Sequence, residues 1–442
     1  MSEAMRYIST RGRSTPVTIG RAIAAGLAPD GGLYVPEVLP RLDPSAFDPD
    51  GTLADTTATL LAPFFAGDPL AGELPAICAE ALDFDTPLRA LAPAGTHVLE
   101  LFHGPTAAFK DVGARFLAAC LRRLPRPDPR PLTILVATSG DTGAAVGAAF
   151  HQQPDSAASD VRVVILYPDG LVSPRQAHQL GCFGDNVQAL RVAGRFDDCQ
   201  RMVKAALSDE ALQASVPMSS ANSISLGRLL PQMSYYTHAS LGWWRTHGTP
   251  LNLIVPTGNL GNAMACLWVR ALGMPIGEVR LACNANSTLP EFFAGADYRP
   301  REAVPTLANA MDVGAPSNFE RLRWTFPDPS ILRAMLQAHS VDDEAIRDAV
   351  TRHAHQHGDV FCPHTATAVH DLDQLREAGD TRPWTVVATA HPAKFDSVVE
   401  PLIGHPLSVP PALAAMLARP AAAQSLAADD DALRDWLQQP QR

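Results

Sequence analysis

LTILVATSGDTGAAVGAAF, residues 132–150, changes character twice. The apolar run LTILVA gives way to the small polar residues TSGDTG, then to AAVGAAF, whose composition suits a helix. An apolar run without alternation, bounded by turn residues, marks a strand covered on both faces. The pattern returns at LNLIVP (251–256), TGNLGN (257–262) and AMACLWVRAL (263–272), where Gly273 is the expected stop. VRVVILY (161–167), NVQALRV (186–192), VRLACNA (279–285) and TVVATA (385–390) are further strands, with helices near 173–180 and 197–214. Apolar strands alternating with helices predict an α/β protein of mainly parallel sheet covered by helices.

Outward from this centre the pattern weakens. Before about residue 94 there are few strand signals. Pro29-Asp30-Gly31-Gly32 leads into the short run Leu33-Tyr34-Val35, and residues 53–65 and 74–82 have helical spacing. A small, mostly helical N-terminal unit is expected. After Leu407 the chain is rich in Ala and ends in DDDALRDWLQQPQR, which reads as surface helix with a frayed end. Asp429–Asp431 then supply negative charge at a helix N-terminus.

At 442 residues, 46% of them hydrophobic and 18% charged, the chain can bury large cores in two or three domains. A net charge of −11 argues against a nucleic-acid binder, and no apolar run reaches the roughly 18 residues of a membrane span. The seven cysteines form no C-x-x-C pair, so neither a disulfide framework nor a zinc site is expected, and no other metal site is. Buried, reduced cysteines and the absence of an apolar core in MSEAMRYISTRGRS predict a cytoplasmic protein.

Two strand–turn–helix junctions could receive an anion through unpaired N–H groups. Gly258-Asn259-Leu260-Gly261-Asn262 carries no charge and suits a phosphate. Ser139-Gly140-Asp141-Thr142-Gly143 carries Asp141, which would repel a dianion unless its side chain turns away. This second turn suits a carboxylate bound by backbone N–H and the hydroxyls of Ser139 and Thr142. Neither is a G-x-G-x-x-G or Walker A sequence.

Of the 35 basic residues only Lys110, Lys204 and Lys394 are lysines. Guanidinium stays protonated, whereas a desolvated lysine can lose its proton and attack a carbonyl. Lys204 reads as an ordinary surface residue. Lys110, in HGPTAAFKD, and Lys394, in TAHPAKFD, have aromatic neighbours able to desolvate an amine. A Schiff-base lysine, a phosphate turn and a carboxylate turn together describe a pyridoxal 5′-phosphate (PLP) site.

The chain resembles threonine synthases of the longer bacterial and fungal class, fold-type II PLP enzymes with a tryptophan synthase β-like fold. YISTRG (7–12), APDGGLYVP (28–36), ELFHGPTAAFKD, ATSGDTGAA, SANS (220–223), PTGNLGN, NAMDVGAPSN (309–318) and TAHPAKF (389–395) carry the resemblance in order over roughly 7–405. It implies an N-terminal helical unit (1–94), a large PLP-binding domain (95–125 and 221–405), a small α/β domain bearing the SGDTG turn (126–220), and a helical tail (406–442). The implied reaction is O-phospho-L-homoserine plus water giving L-threonine and phosphate, by a monomer or homodimer.

Through that resemblance Lys110 becomes the Schiff-base lysine. Gly258 to Asn262 hold the cofactor phosphate, and Thr389 faces the pyridine nitrogen. Ser139, Asp141, Thr142, Asn222, Ser223 and Arg228 line the substrate side. Lys394 is either a substrate-phosphate donor or a cation behind Lys110 that lowers its pKa. Arg115, His103, His364 and His391 are weaker candidates. Two positions depart from the family pattern: Asn262 stands where GNFGD has Asp, and Ser225 where NSxNxxR has the second Asn. The Ser225 departure keeps open a phospholyase releasing 2-oxobutanoate. A catalytically inactive scaffold is the other alternative, against which the retained Lys110 and turns count.

Overall fold

In the computed structural model, which describes residues 4–126, 128–151 and 161–439, the opening stretch forms strand β5 and the helix Asp141–Phe150. In chain order the strands are β1 (Tyr7–Ser9), β2 (Tyr34–Pro36), β3 (Leu88–Leu91), β4 (Thr96–Glu100), β5 (Leu132–Ala137), β6 (Val161–Pro168) and β7 (Val187–Ala193). Then follow β8 (Met218–Ser220), β9 (Leu251–Pro256), β10 (Ile276–Cys283), β11 (Leu336–Ser340), β12 (Trp384–Ala388) and β13 (Gln424–Ala427).

Two sheets organise the described residues. One has the order β11-β10-β9-β12-β4-β3, parallel except for the antiparallel edge pair β3–β4. The other has the order β13-β7-β6-β5-β8 and is parallel throughout. Helices cover both faces, so the central strands are buried on alternate sides alike: every residue of β12 and all but the first of β5. β1 and β2 form a separate antiparallel pair.

The N-terminal segment folds as expected. Thr52 and Asp55 close a capping box on the helix Leu53–Leu61, and the helix Leu74–Ala81 packs beside it. The tail departs from expectation. Beyond its helices Pro411–Leu417 and Asp430–Gln438 it contributes β13, parallel to β7, and so becomes an edge of the second sheet. The run Gln424–Ala427 has no apolar pattern because an edge strand is mostly exposed.

All seven cysteines are buried and unpaired. No helix of the described residues is long and apolar enough to cross a membrane. The turns singled out in the sequence leave the C-terminal ends of β5 and β9, Thr389 follows β12, and the segment to Lys110 follows β4. Ligand sites of open parallel sheets form at those ends.

Candidate active site

Lys110 is the first residue of the helix Lys110–Arg123, where unpaired N–H groups disfavour a second positive charge. Its Nζ lies 4.3 Å from the centroid of the Phe109 ring. Burial, and after it the Arg228 guanidinium, lower the Lys110 pKa to about 7, against the Asp141 carboxylate. A sizeable fraction of this amine is therefore neutral near pH 7, as a guanidinium there would not be.

Two lobes of a cleft meet at Lys110. The inner lobe is bordered by Arg228, Thr257, Gly258, Leu260, Gly261, Asn262, His364 and Thr389. The outer lobe is bordered by Thr138, Ser139, Thr142 and Asn222. Asp141, Ser223 and Asn259 border both.

The inner lobe is built for an anion. The helix Gly261–Ala271 begins without a side-chain cap, after Leu260 at φ +61°. A Cβ on Gly261 would stand in ordinary contact with Asn318 and Ser223, the nearest atom at 3.6 Å. Gly258 is held more tightly, since a Cβ there would stand 2.7 Å from the main chain of Met311. Arg228 is buried without a carboxylate at ion-pair distance among the described residues, and its Nη1 donates to Ala221 O at 2.7 Å. Burial pushes its pKa down to about 10. The Asn262 carboxamide accepts at Oδ1 from Tyr235 Oη and Tyr236 Oη, each at 2.7 Å, and its Nδ2 is buried without a partner. A bare helix N-terminus, an unpaired guanidinium and an unpaired amide thus border one space. With an amine at Lys110 and a hydroxyl at Thr389 on the same lobe, these residues fit PLP.

Asp141 does turn away from its helix N-terminus. Its Oδ1 lies 2.9 Å from Lys394 Nζ and accepts from Gln176 Nε2 at 3.0 Å. Burial opposes its ionisation, but Lys394, His364 and Gln176 outweigh burial and hold the pKa below the ordinary carboxylate value. Gly140, at φ +135°, lets Gln176 approach, since a Cβ there would stand 2.4 Å from that side chain.

Lys394 is wholly buried and borders neither lobe; its Nζ also donates to Thr106 O at 2.7 Å. It is therefore no direct donor to a substrate phosphate. Arg228, rather than Lys394, is the cation that depresses Lys110. Asn259 ties loops together: Nδ2 donates to Ser223 Oγ at 2.7 Å, and Oδ1 accepts from Ser317 N. Ser225 is buried away from both lobes, its Oγ without a partner, so its side chain does not reach the substrate side and no longer favours the phospholyase.

Arg115 binds Asp83 and the Glu80 carbonyl instead of facing the cleft. His103 pairs with Glu100 at 2.9 Å, and His391 Nδ1 accepts from Ala393 N. Only His364 of the three histidines reaches the cleft. Its Nε2 accepts from Ala310 N at 3.0 Å, and burial pushes its pKa down to about 4. Sequence reading missed Gln176, Tyr235 and Tyr236, for which no local signal exists. It also passed over Lys204, which borders the outer lobe with Phe196 and Gln200. Their spacing of four on one helix face was the available clue.

Comparison with known proteins agrees along the whole chain. Family models described as threonine synthase N terminus, pyridoxal-phosphate dependent enzyme, and threonine synthase, C-terminal, match residues 6–82, 82–392 and 365–437. A threonine synthase of Serratia marcescens is 36% identical over 98% of this chain and 99% of its own. The crystal structure of threonine synthase from Escherichia coli superposes with a TM-score of 0.89 at 34% identity, covering 98% of this chain and 99% of that one. A PLP-bound threonine synthase from Brucella melitensis gives 0.86 at 31% identity, with the same coverage. The chain belongs to the threonine synthase family, PLP-dependent enzymes of fold-type II and carbon–oxygen lyases by reaction.

Proposed function

We propose that this cleft converts O-phospho-L-homoserine and water into L-threonine and phosphate. The observation that carries the reading is the Lys110 amine, with a pKa of about 7, at the junction of an anion-binding lobe and a lobe lined by hydroxyls and amides. When bound, PLP supplies an electron sink for charge developing at the substrate's Cα and beyond. The backbone of Gly258, Asn259, Leu260, Gly261 and Asn262 would hold its phosphate at the helix N-terminus, Lys110 would be its attachment point, and Thr389 would offer a neutral hydroxyl to the ring nitrogen.

Ser139 and Thr142 donate to the substrate carboxylate, and Asn222 and Ser223 orient the chain that carries the leaving group. Asp141, neutralised by Lys394, adds no net repulsion there. Arg228 supplies a fixed guanidinium for phosphate. Lys110 Nζ would take protons from Cα and Cβ, return one at Cγ once phosphate has left, and, after water has added its hydroxyl at Cβ, return one at Cα, the remaining proton leaving with phosphate; the role suits a group that titrates near the working pH. Seven unpaired buried cysteines suit a reducing, cytoplasmic setting. Incubation of the PLP-loaded protein with O-phospho-L-homoserine tests the reading: threonine and phosphate in equal amounts are expected. Release of 2-oxobutanoate without threonine would overturn it.

A further inference from the structure

We propose that Lys204 binds the phosphate of the substrate from the rim of the outer lobe. The inference rests on the reaction just assigned and names a contact which that reading leaves open.

Phe196, Gln200 and Lys204 follow one another at intervals of four along the helix Phe196–Ser208, and all three border the outer lobe together with Lys110, Thr142 and Ser223. Residues so spaced share a helix face. The opposite face is anchored: Cys199, Met202 and Val203 are buried, and Arg201 pairs with Asp430 of the C-terminal helix. A fixed helix thus presents a flexible, exposed lysine to the cleft.

Charge completes the case. Among the described residues Lys110 and Lys204 are the only lysines or arginines bordering the outer lobe, and Lys110 would be the cofactor's attachment point. A phosphate monoester near neutral pH carries roughly −1.5 to −2 charges, more than the single Arg228 guanidinium of the adjoining inner lobe balances, so a second cation at the rim adds to its binding. Lys204 is available. Among the described residues it has no carboxylate at ion-pair distance, whereas its neighbours Arg195 and Arg201 are engaged by Glu302 and by Asp198 and Asp430. Asp197 feels Lys204 across a longer gap without pairing with it. On a chain of net charge −11, an unpaired ammonium at the cleft mouth also gives an anionic substrate a local attraction.

Lys204→Gln and Lys204→Arg in the PLP-loaded enzyme test this. The Gln variant should raise KM for O-phospho-L-homoserine about tenfold, with kcat changed less, and weaken inorganic phosphate binding in calorimetry by a similar factor. The Arg variant should recover most of both, and the cofactor spectrum should match the unsubstituted enzyme in each. Unchanged KM and unchanged phosphate affinity in Lys204→Gln would overturn the proposal. If the unsubstituted enzyme released no phosphate, the reaction reading would fall instead. Calorimetry with inorganic phosphate would still decide on Lys204, equal affinities overturning its role.

Discussion

Lys394 Nζ stands 2.9 Å from Asp141 Oδ1, and both side chains are shut away from solvent. Asp141 borders the cleft with Lys394 behind it, and among the described residues this acid is the one anion that raises the pKa of Lys110. Asp141→Asn removes that anion and leaves Lys394 as an uncompensated charge. The Lys110 pKa should fall below about 7, so the acid limb of the kcat profile, which reports the amine set free once substrate is bound, moves to lower pH. Losing one partner of a buried pair costs on the order of 3–5 kcal/mol, which a drop in urea midpoint would register. An unmoved acid limb would refute the link between the pair and Lys110.

Lys110→Ala should abolish threonine formation, a loss of a thousandfold or more in kcat, and the protein should lose its lysine-bound cofactor absorbance. Lys110→Arg should be as inactive, because guanidinium stays protonated at any working pH. Product analysis and an absorbance spectrum of each variant check both statements.

Tyr235 and Tyr236 hold Asn262 by one oxygen, fixing its amide beside the phosphate turn. Tyr236→Phe removes one hydrogen bond worth about 1 kcal/mol and should weaken PLP binding roughly fivefold. The double Phe variant should lose more than twice that free energy, since Asn262 Oδ1 is then buried with neither donor. PLP titrations followed by absorbance would show it.

His364 is held neutral in the fold, its pKa pushed down by burial to about 4 from an ordinary 6.5. Between those values the unfolded chain binds a proton that the folded chain refuses. This contribution to stability is intact above about pH 6.5 and lost progressively as pH falls toward about 4. His364→Gln keeps an acceptor for Ala310 N and removes the titration. Its urea midpoint should fall less between pH 7 and pH 5 than that of the unsubstituted protein.

The central strands could be read from sequence because parallel sheet buries both faces: β5, β9 and β12 are runs of apolar residues with little else to become. The edges could not. Leu88–Leu91, Leu336–Ser340 and Gln424–Ala427 are partly exposed, and nothing in their composition separates them from loops. At the site, Lys110 and the two turns were legible because chemistry restricts the residue types there. The role of Lys394 was not, since its direction is set by Asp141 and Thr106, each more than 250 positions away. Residue type revealed a lysine able to act in the cleft, while tertiary contacts turned it into a support.

The strand at the far end of the chain has a consequence for synthesis. Four strands of the second sheet are complete by Ser220, yet the fifth begins at Gln424, about two hundred residues later. Throughout that interval on the ribosome, β7 presents an unpaired edge, and the helix bearing Lys204 lacks Asp430, one of the two partners of Arg201. The nascent chain is therefore a substrate for edge-to-edge association until almost its last residues emerge. A chain broken off before residue 424 would keep that liability for its lifetime.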